Sequence, residues 1–355
     1  MPRAPKQKVA KQEFLRLENK EIRFATPEQV ANYRAKRLSC NKLLEIGSGI
    51  GAQTILFAKE CKEVLSIEKN PETAKLAMAN LKELNINNVK IIIGDALDKS
   101  VISLAKEFKP DIVFCDTERA ESGVRTIENI KPNVNKLLGI YSNITPKIAI
   151  ELPPFIQDLD KIKIPFEREF ISLNKKLNRL TLYFNDLKNH DTSVVLLPEN
   201  KIFKHNIKDN LSSKSKLLIS NSIKDFSYLY IINPAIILAG KGIYEKLANN
   251  LKCGIILLSN KPYFLSDNKV NSPFLEQYKI LLTCENKFET IIENLNKLEA
   301  RKVVIRYPID AKEYWNERKK YEHELKGDKE FHIFKNDKNK EAIICEKLEQ
   351  KEKIK

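Results

Sequence analysis

The sequence has little of what holds a structural metal or a disulfide framework. Its six cysteines include no Cys-x-x-Cys pair and its four histidines are scattered, which argues against a zinc site or a set of disulfides. No apolar run approaches the roughly 18 residues of a membrane span, and no apolar signal core follows the first residues. We therefore expect a soluble, cytoplasmic protein that binds no metal.

Positive charge, by contrast, is in excess. The 355 residues include 62 Lys and Arg against 47 Asp and Glu, a formal net charge of +15. Such a balance favours a polyanionic partner such as nucleic acid. The chain is also rich in Lys, Asn and Ile together, a bias that can shape whole proteomes without regard to function. Charge alone therefore favours nucleic acid only by a small margin.

Strand-like and helix-like segments alternate through the first half of the chain. A helix should start near Thr26, with Thr26 as its N-cap and Gln29 completing a capping box. Repeated strand–helix–strand units then predict a parallel sheet covered by helices, and the sheet should end in a β-hairpin. The predicted strands are 42–47, 63–69, 89–96, 111–116 and 146–154, the hairpin strands are 168–174 and 179–186, and the helices between them are 52–61, 71–85 and 100–108.

Three parts follow from these patterns. Residues 1–24 form a basic arm, and residues 25–187 form an α/β domain. A polar linker at 187–193 leads to an α+β region at 194–350, where strands and helices do not alternate cleanly. At the start of that region we predict a strand in "SVVLLP" (193–198), and further on we predict helices at 234–251, 288–300 and 311–325.

A glycine-rich loop joins the first strand to the following helix. Gly47, Gly49 and Gly51 in "LLEIGSGIGAQ" allow a sharp turn and a close approach of the backbone to a ligand. The helix that follows offers free N–H groups to an anion. With Ala52, the loop also fits the dinucleotide-binding fingerprint, so the loop alone does not identify the ligand.

Three acidic residues favour S-adenosylmethionine over a dinucleotide. Glu45 precedes the loop, where its carboxylate can attract the ammonium group of the cofactor's methionine part or order the loop amides around that part. Glu68 ends the second strand, where a carboxylate accepts both ribose hydroxyls. Asp95 ends the third strand and can accept from the adenine amine. Each acid alone would be a solvated strand end, but three at successive strand ends around one glycine loop predict a cofactor site.

These features resemble those of class I S-adenosylmethionine-dependent methyltransferases, over about residues 25–186. More narrowly, the chain resembles RNA methyltransferases that carry a C-terminal THUMP-like domain. The resemblance implies a Rossmann-like sheet with a terminal hairpin, a smaller THUMP-like α+β region, and a structured RNA such as tRNA or rRNA as the substrate. The similar stretches are "ATPEQVANYRAKRL" (25–38), "DTERAESGVR" (116–125), "FISLNKKLNRLTLYF" (170–184), "YLYIINPAIILAGKGIYEKLA" (228–248) and "EARKVVIRYP" (299–308).

The fourth strand ends in an unusual motif for an enzyme of this kind. In many amino-group methyltransferases an Asp or Asn here is followed by two prolines and an aromatic residue that stacks on the base. This chain keeps Asp116 but has Thr117, Glu118 and Arg119 in the following positions. Asp116 can hold the acceptor amine or take its proton while Arg119 stacks on the base or binds a phosphate. Alternatively, Glu118 is the general base, Arg119 and Arg125 only position RNA, or the segment is an ordinary polar loop.

We predict that Asp116 and Arg119 serve a methyl transfer from S-adenosylmethionine to a nucleobase of RNA. The segment "ELPPF" (151–155) follows the next strand and can line the acceptor pocket, although its prolines can also simply end that strand. Three other interpretations stay open. They are a non-catalytic RNA-binding protein that retains a cofactor pocket, a protein or small-molecule methyltransferase, and an NAD-dependent oxidoreductase.

Overall fold

The computed structural model describes residues 26–118, 123–208, 220, 222–223 and 225–349. The chain divides into two compact units, Met1–Asn206 and Ile207–Lys355. The predicted arm at 1–24 and the predicted site residue Arg119 lie outside the described residues. Across these described ranges, no helix is both long and apolar enough to cross a bilayer.

The first unit is built on one nine-stranded sheet. Its strands are β1 (Lys42–Ile46), β2 (Glu63–Glu68), β3 (Val89–Ile93), β4 (Ile112–Asp116), β5 (Ile148–Leu152), β6 (Phe166–Leu173), β7 (Lys176–Phe184), β8 (Thr192–Leu197) and β9 (Lys201–His205). The α-helices described in this unit are α1 (Glu28–Arg37), α2 (Thr54–Glu60), α3 (Pro71–Glu83), α4 (Lys99–Phe108) and α5 (Val134–Tyr141). The predicted alternation of strands and helices up to the hairpin is confirmed, and α5 is an addition that we did not predict.

The order of strands places a crevice in the middle of the sheet. The order is β3-β2-β1-β4-β5-β7-β6-β8-β9, with the first five strands parallel and β7 antiparallel to both neighbours. The chain runs outward from β1 to β3 and then returns to place β4 on the other side of β1. Open α/β sheets bind ligands at such a reversal, beyond the carboxyl ends of the strands. The glycine loop after β1 and the segment after β4 therefore meet there.

Apolar strands and the inner face of α1 form the core of this unit. Leu43 and Phe114 lie in the centre of the sheet and pack with Phe57 of α2 and Leu38 next to α1. The start of α1 differs from our prediction. The helix begins at Glu28 with Pro27 as its N-cap, and no side chain caps it. The capping box predicted at Thr26 does not form; Thr26 is buried instead.

The boundary between the units lies later in the chain than the predicted linker. Strand β8, which we assigned mainly to the second region, pairs in parallel with β6, and β9 pairs with β8. The hairpin is thus followed by two more strands of the same sheet. The polarity of residues 187–193 marks the turn that brings β8 back beside β6, because a short exposed turn needs polar residues as much as a linker does.

The second unit contains a separate seven-stranded sheet in the order β11-β12-β10-β13-β16-β15-β14. All its pairings are antiparallel except β14 with β15. The strands are β10 (Tyr228–Ile232), β11 (Gly254–Leu258), β12 (Lys261–Ser266), β13 (Leu275–Glu285), β14 (Ala300–Ile305), β15 (Lys329–Asn336) and β16 (Glu341–Lys347). The helix predicted over 234–251 is two helices, Pro234–Ala239 and Lys241–Leu251, because Gly240 between them adopts a positive φ of 114°.

Helix α1 is joined to the sheet by a buried ion cluster. Arg34 is completely buried and pairs with Glu151 at the end of β5, which also pairs with Arg179 of β7 at 2.5 Å. Arg34 also donates to Gln53 Oε1 at 2.9 Å and lies 4.9 Å above the ring of Phe114. One side chain thus connects α1, the start of α2 and the strands β4 and β5 next to the crevice.

Replacing Arg34 with methionine should destabilise the first unit by about 3 kcal/mol or more, because Glu151 loses a buried partner. The exposed Lys36 of the same helix offers a matched control. We expect Lys36→Met to stay within about 0.5 kcal/mol of the parent. Urea denaturation followed by far-UV circular dichroism measures both. The fluorescence of Trp315 reports on the second unit alone, because it is the chain's one tryptophan. Equal effects of the two substitutions would contradict a stabilising role for the cluster.

Candidate active site

The glycine loop lies directly against the end of β4. Gly47 has a φ of +84°, and a Cβ added to it would come within 2.6 Å of the backbone oxygen of Asp116. A side chain at position 47 would therefore push the loop away from the strand that carries Asp116. The structure brings together the predicted cofactor loop and the predicted acceptor residue, as the order of the strands requires.

The other two glycines have different surroundings. Gly51 adopts a φ of +87°, and its Cβ would touch Ala77 of α3 at 3.4 Å, so it permits close packing of the loop on that helix. Gly49 adopts a φ of +54°, and a Cβ there would have no atom within 4 Å. Only Gly49 therefore faces open space, where its lack of a side chain leaves room for a ligand.

Glu68 holds the loop in this shape. Its Oε2 accepts the backbone N–H of Gly49 at 2.9 Å, and its Oε1 accepts that of Asn70 at 2.9 Å. Each carboxylate oxygen keeps a further lone pair, so accepting two ribose hydroxyls would not require these bonds to break. The structure thus gives Glu68 a second task, which is to fix the loop, beside the predicted one.

Asp95 lies at the rim of the same edge. Its Oδ1 accepts the N–H of Leu97 at 2.9 Å, and its Oδ2 accepts Lys69 Nζ at 2.8 Å. The hydrogen bond from Lys69 and then that from Leu97 lower the pKa of Asp95 below its usual value. The side chain is therefore ionised at neutral pH, as an acceptor for an adenine amine must be. Its contact with adenine stays a prediction.

Glu45 is placed differently from our expectation. It is completely buried, and its Oε2 accepts the hydroxyls of Thr54 at 2.6 Å and Ser66 at 2.7 Å, not the loop amides. Its Oε1 is buried and has no hydrogen-bond partner within the described residues. Burial raises the pKa of Glu45 to about 7, although the hydrogen bonds from the two hydroxyls act in the opposite direction and lower it. Neither Thr54 nor Ser66 was predicted, although Ser66 lies two residues before Glu68 and so shares its side of β2.

This raised pKa predicts a pH-dependent stability that Glu45→Gln should remove. The folded chain holds a proton at Glu45 up to about pH 7, whereas the unfolded chain loses it near 4.5. Stability should therefore fall as the pH rises between these values, by roughly 3 kcal/mol in total. Glutamine keeps an acceptor oxygen for Thr54 and Ser66 but does not ionise.

Denaturation midpoints from pH 5 to 8 measure the effect. The advantage of Glu45→Gln over the parent should grow as the pH rises. Glu72→Gln, whose side chain is 79% exposed, serves as the control and should show no such trend. Parallel curves for Glu45→Gln and the parent would contradict the assigned pKa.

The predicted acceptor side is formed by the ends of β4 and β5. Asp116 pairs in register with Glu151, and the Thr117 hydroxyl donates to the backbone oxygen of Glu151 at 2.8 Å. Glu118 pairs through its backbone with Lys131 in an isolated bridge. The segment after Asp116 is thus tied to its neighbours on both sides up to Glu118. Arg119 lies outside the described residues, so its predicted role stays a prediction.

Arg34 also contributes to this side, and the sequence analysis did not identify it as a site residue. Burial alone would lower the pKa of Arg34, but nearby negative charges, chiefly Glu151 and also Asp116, raise it above its usual value. The guanidinium is therefore a fixed positive charge within electrostatic reach of Asp116. The spacing of α1 does separate Arg34 from the exposed Lys36, because Arg34 lies four residues after the buried Val30 and so shares its face of the helix.

The residues present fit S-adenosylmethionine. Gly49 leaves an open space, and the buried Ser48 hydroxyl beside it has no hydrogen-bond partner within the described residues. Glu68 and Asp95 offer carboxylates along the same edge. Bound there, the cofactor would supply a methyl group on a sulfonium. The chain itself would orient the two reactants, because such a transfer needs mainly proximity and alignment.

Comparison with known proteins agrees with this geometry. The model of the RNA cap guanine-N2 methyltransferase family matches residues 40–214, which span the glycine loop, all three acids and Asp116. A protein-L-isoaspartate O-methyltransferase of Nitrobacter winogradskyi is 38% identical over 72 residues, 19% of this chain and 33% of that protein. A probable cobalt-precorrin-6B C(15)-methyltransferase of Methanococcus maripaludis strain C7 is 25% identical over 174 residues, 47% of this chain and 87% of that protein.

A solved structure extends the likeness to nearly the whole chain. The "putative methyltransferase" of Porphyromonas gingivalis W83 aligns with 94% of this chain and 83% of its own, with a TM-score of 0.77 and 18% sequence identity. At that identity the likeness concerns the fold. The predicted Rossmann-like methyltransferase fold and the predicted cofactor are confirmed. The chain therefore contains a class I, S-adenosylmethionine-dependent methyltransferase domain.

Proposed function

We propose that this protein transfers a methyl group from S-adenosylmethionine to a nitrogen of a nucleobase in RNA, with tRNA or rRNA as the substrate class. The observation that carries the proposal is the contact of Gly47 with the end of β4, which places Asp116 beside the cofactor loop. A carboxylate there can accept an N–H of an amine and turn its lone pair toward the methyl group.

RNA as the acceptor is supported by two further observations. The family model that matches residues 40–214 is that of RNA cap guanine-N2 methyltransferases, which act on RNA by name. The chain also carries a net charge of +15. We extend the proposal to the second unit as an RNA-docking region of the THUMP-like kind. Its Trp315 is 61% exposed and offers a stacking surface to a base.

A second candidate is methyl transfer to a protein or a small molecule, because the two curated relatives above act on such substrates by name.

Incubation of the protein with methyl-labelled cofactor, total RNA from a strain lacking the gene, and protein extract separates the candidates. Label in one modified nucleoside after RNA digestion is expected. Label confined to protein or to small molecules would replace RNA as the substrate. RNA binding without any label would leave a non-catalytic RNA-binding protein.

A further inference from the structure

An exposed aromatic ring stands on the loop that follows β5. Phe155 lies three residues beyond Leu152, the last residue of the strand, and 66% of it is exposed. Val124, in the segment after β4, is 60% exposed. A single exposed apolar side chain needs no explanation of its own. Phe155 and Val124 do need an explanation, because both lie in segments that follow the strands of the proposed acceptor side.

The loop with Phe155 is anchored to the segment that follows β4. The Gln157 N–H donates to the Arg125 oxygen at 2.8 Å, and Gln157 also forms a bridge with Thr126. Together with the bond from Thr117 to Glu151, these contacts tie the two loops at both ends. Phe155 thus belongs to the strand-end edge that carries Asp116.

The backbone before the ring is restrained as well. Pro153 and Pro154 each fix φ near −65°, and the Ile156 N–H closes a turn onto the Pro153 oxygen at 3.1 Å. A ring on such a backbone loses little conformational freedom when a ligand stacks on it. Exposed aromatic side chains on ordered backbone are what proteins use to hold unstacked nucleobases.

We propose that Phe155 is the stacking surface for the nucleobase that receives the methyl group. The inference rests on the proposed function and names the residue that binds its substrate. None of the residues from Thr117 to Arg125 is aromatic, so the segment after Asp116 offers no ring of its own. The Pro-Pro-Phe sequence after the adjacent strand supplies the missing ring. Arg125, which is half-buried beside Val124, adds a cation for a neighbouring phosphate.

Phe155→Ala should lower kcat/KM for RNA about 5- to 150-fold, the range that corresponds to the loss of one stacked base. Phe155→Tyr keeps a ring and should restore most of the activity. The affinity for S-adenosylmethionine, measured by calorimetry, should not change, because Phe155 lies outside the glycine loop. Ile202→Ala serves as a control, since Ile202 is 44% exposed on the distant strand β9.

A binding measurement tests the inference without turnover. A single-stranded RNA containing 2-aminopurine, whose fluorescence changes on stacking, should respond to the parent and to Phe155→Tyr but not to Phe155→Ala. Unchanged turnover and an unchanged fluorescence response for Phe155→Ala would overturn the inference, with the proposed function intact. If the parent methylates no RNA, the proposed function fails. The fluorescence response alone then decides whether Phe155 stacks on a base.

Discussion

Replacing Gly49 with valine should abolish binding of S-adenosylmethionine while the protein stays folded. Gly49 adopts a φ of +54°, a conformation that a β-branched residue reaches only at a cost of about 1–3 kcal/mol. Its Cβ would meet no protein atom within 4 Å, so the side chain would project into the space open to a ligand. Isothermal calorimetry of the folded variant should therefore show no heat of cofactor binding.

Gly139 offers the matched control for this experiment. It lies in the exposed face of α5, and a Cβ there also has nothing within 4 Å, but its φ is not positive. Gly139→Val should therefore leave cofactor binding unchanged. Normal cofactor binding by Gly49→Val would show that the glycine loop does not bind the cofactor. The proposed reaction would then lose its support. Circular dichroism of both variants checks that the loss is not one of folding.

Replacing Asp116 with alanine should lower kcat about 10²- to 10⁴-fold, the range of a missing proton acceptor. The cofactor affinity should stay nearly intact, because Gly47 approaches the backbone oxygen of Asp116, which alanine retains. Single-turnover methylation with saturating cofactor measures the loss. An unchanged turnover would show that the end of β4 only shapes the loop.

Two further variants distinguish how the end of β4 works. Asp116→Asn keeps an oxygen that can hold the acceptor amine but cannot take its proton. Activity close to that of the parent would assign Asp116 to orientation, and activity as low as that of the alanine variant would assign it to proton removal. Glu118→Gln tests the other candidate base. A loss in Glu118→Gln that matches that of Asp116→Ala would show that both carboxylates are needed.

The success and the errors of the sequence analysis at the site have related causes. The three glycines were all predicted to let a ligand approach, but Gly47 makes room for the end of β4 and Gly51 for α3. A positive φ and a need for close approach both select glycine, and the sequence does not say what approaches. Similarly, Glu45 was correctly placed at the end of β1, but its burial depends on Thr54 and Ser66, which reach it from α2 and β2.

The division into domains shows the same limit over a longer range. Strand β8 was recognised as a strand from its apolar run, yet it was assigned mainly to the wrong unit. The run "SVVLLP" is equally compatible with an antiparallel sheet of the second unit and with the edge of the first. Only the pairing partner distinguishes them, and pairing between residues far apart in the chain leaves no local pattern.

By itself, the sequence determined the order of strands and helices, the glycine loop and the acids at the strand ends. These features are local, because they depend on the hydrophobic period, on the turn residues and on the residues at each strand end. The tertiary structure alone decided which side chains share a surface. It buried Arg34 against Glu151 and within reach of Asp116, and it joined the loop of Phe155 to the segment after β4. Those contacts connect parts of the chain that come together only when β4 pairs with β1 and β5 pairs with β4.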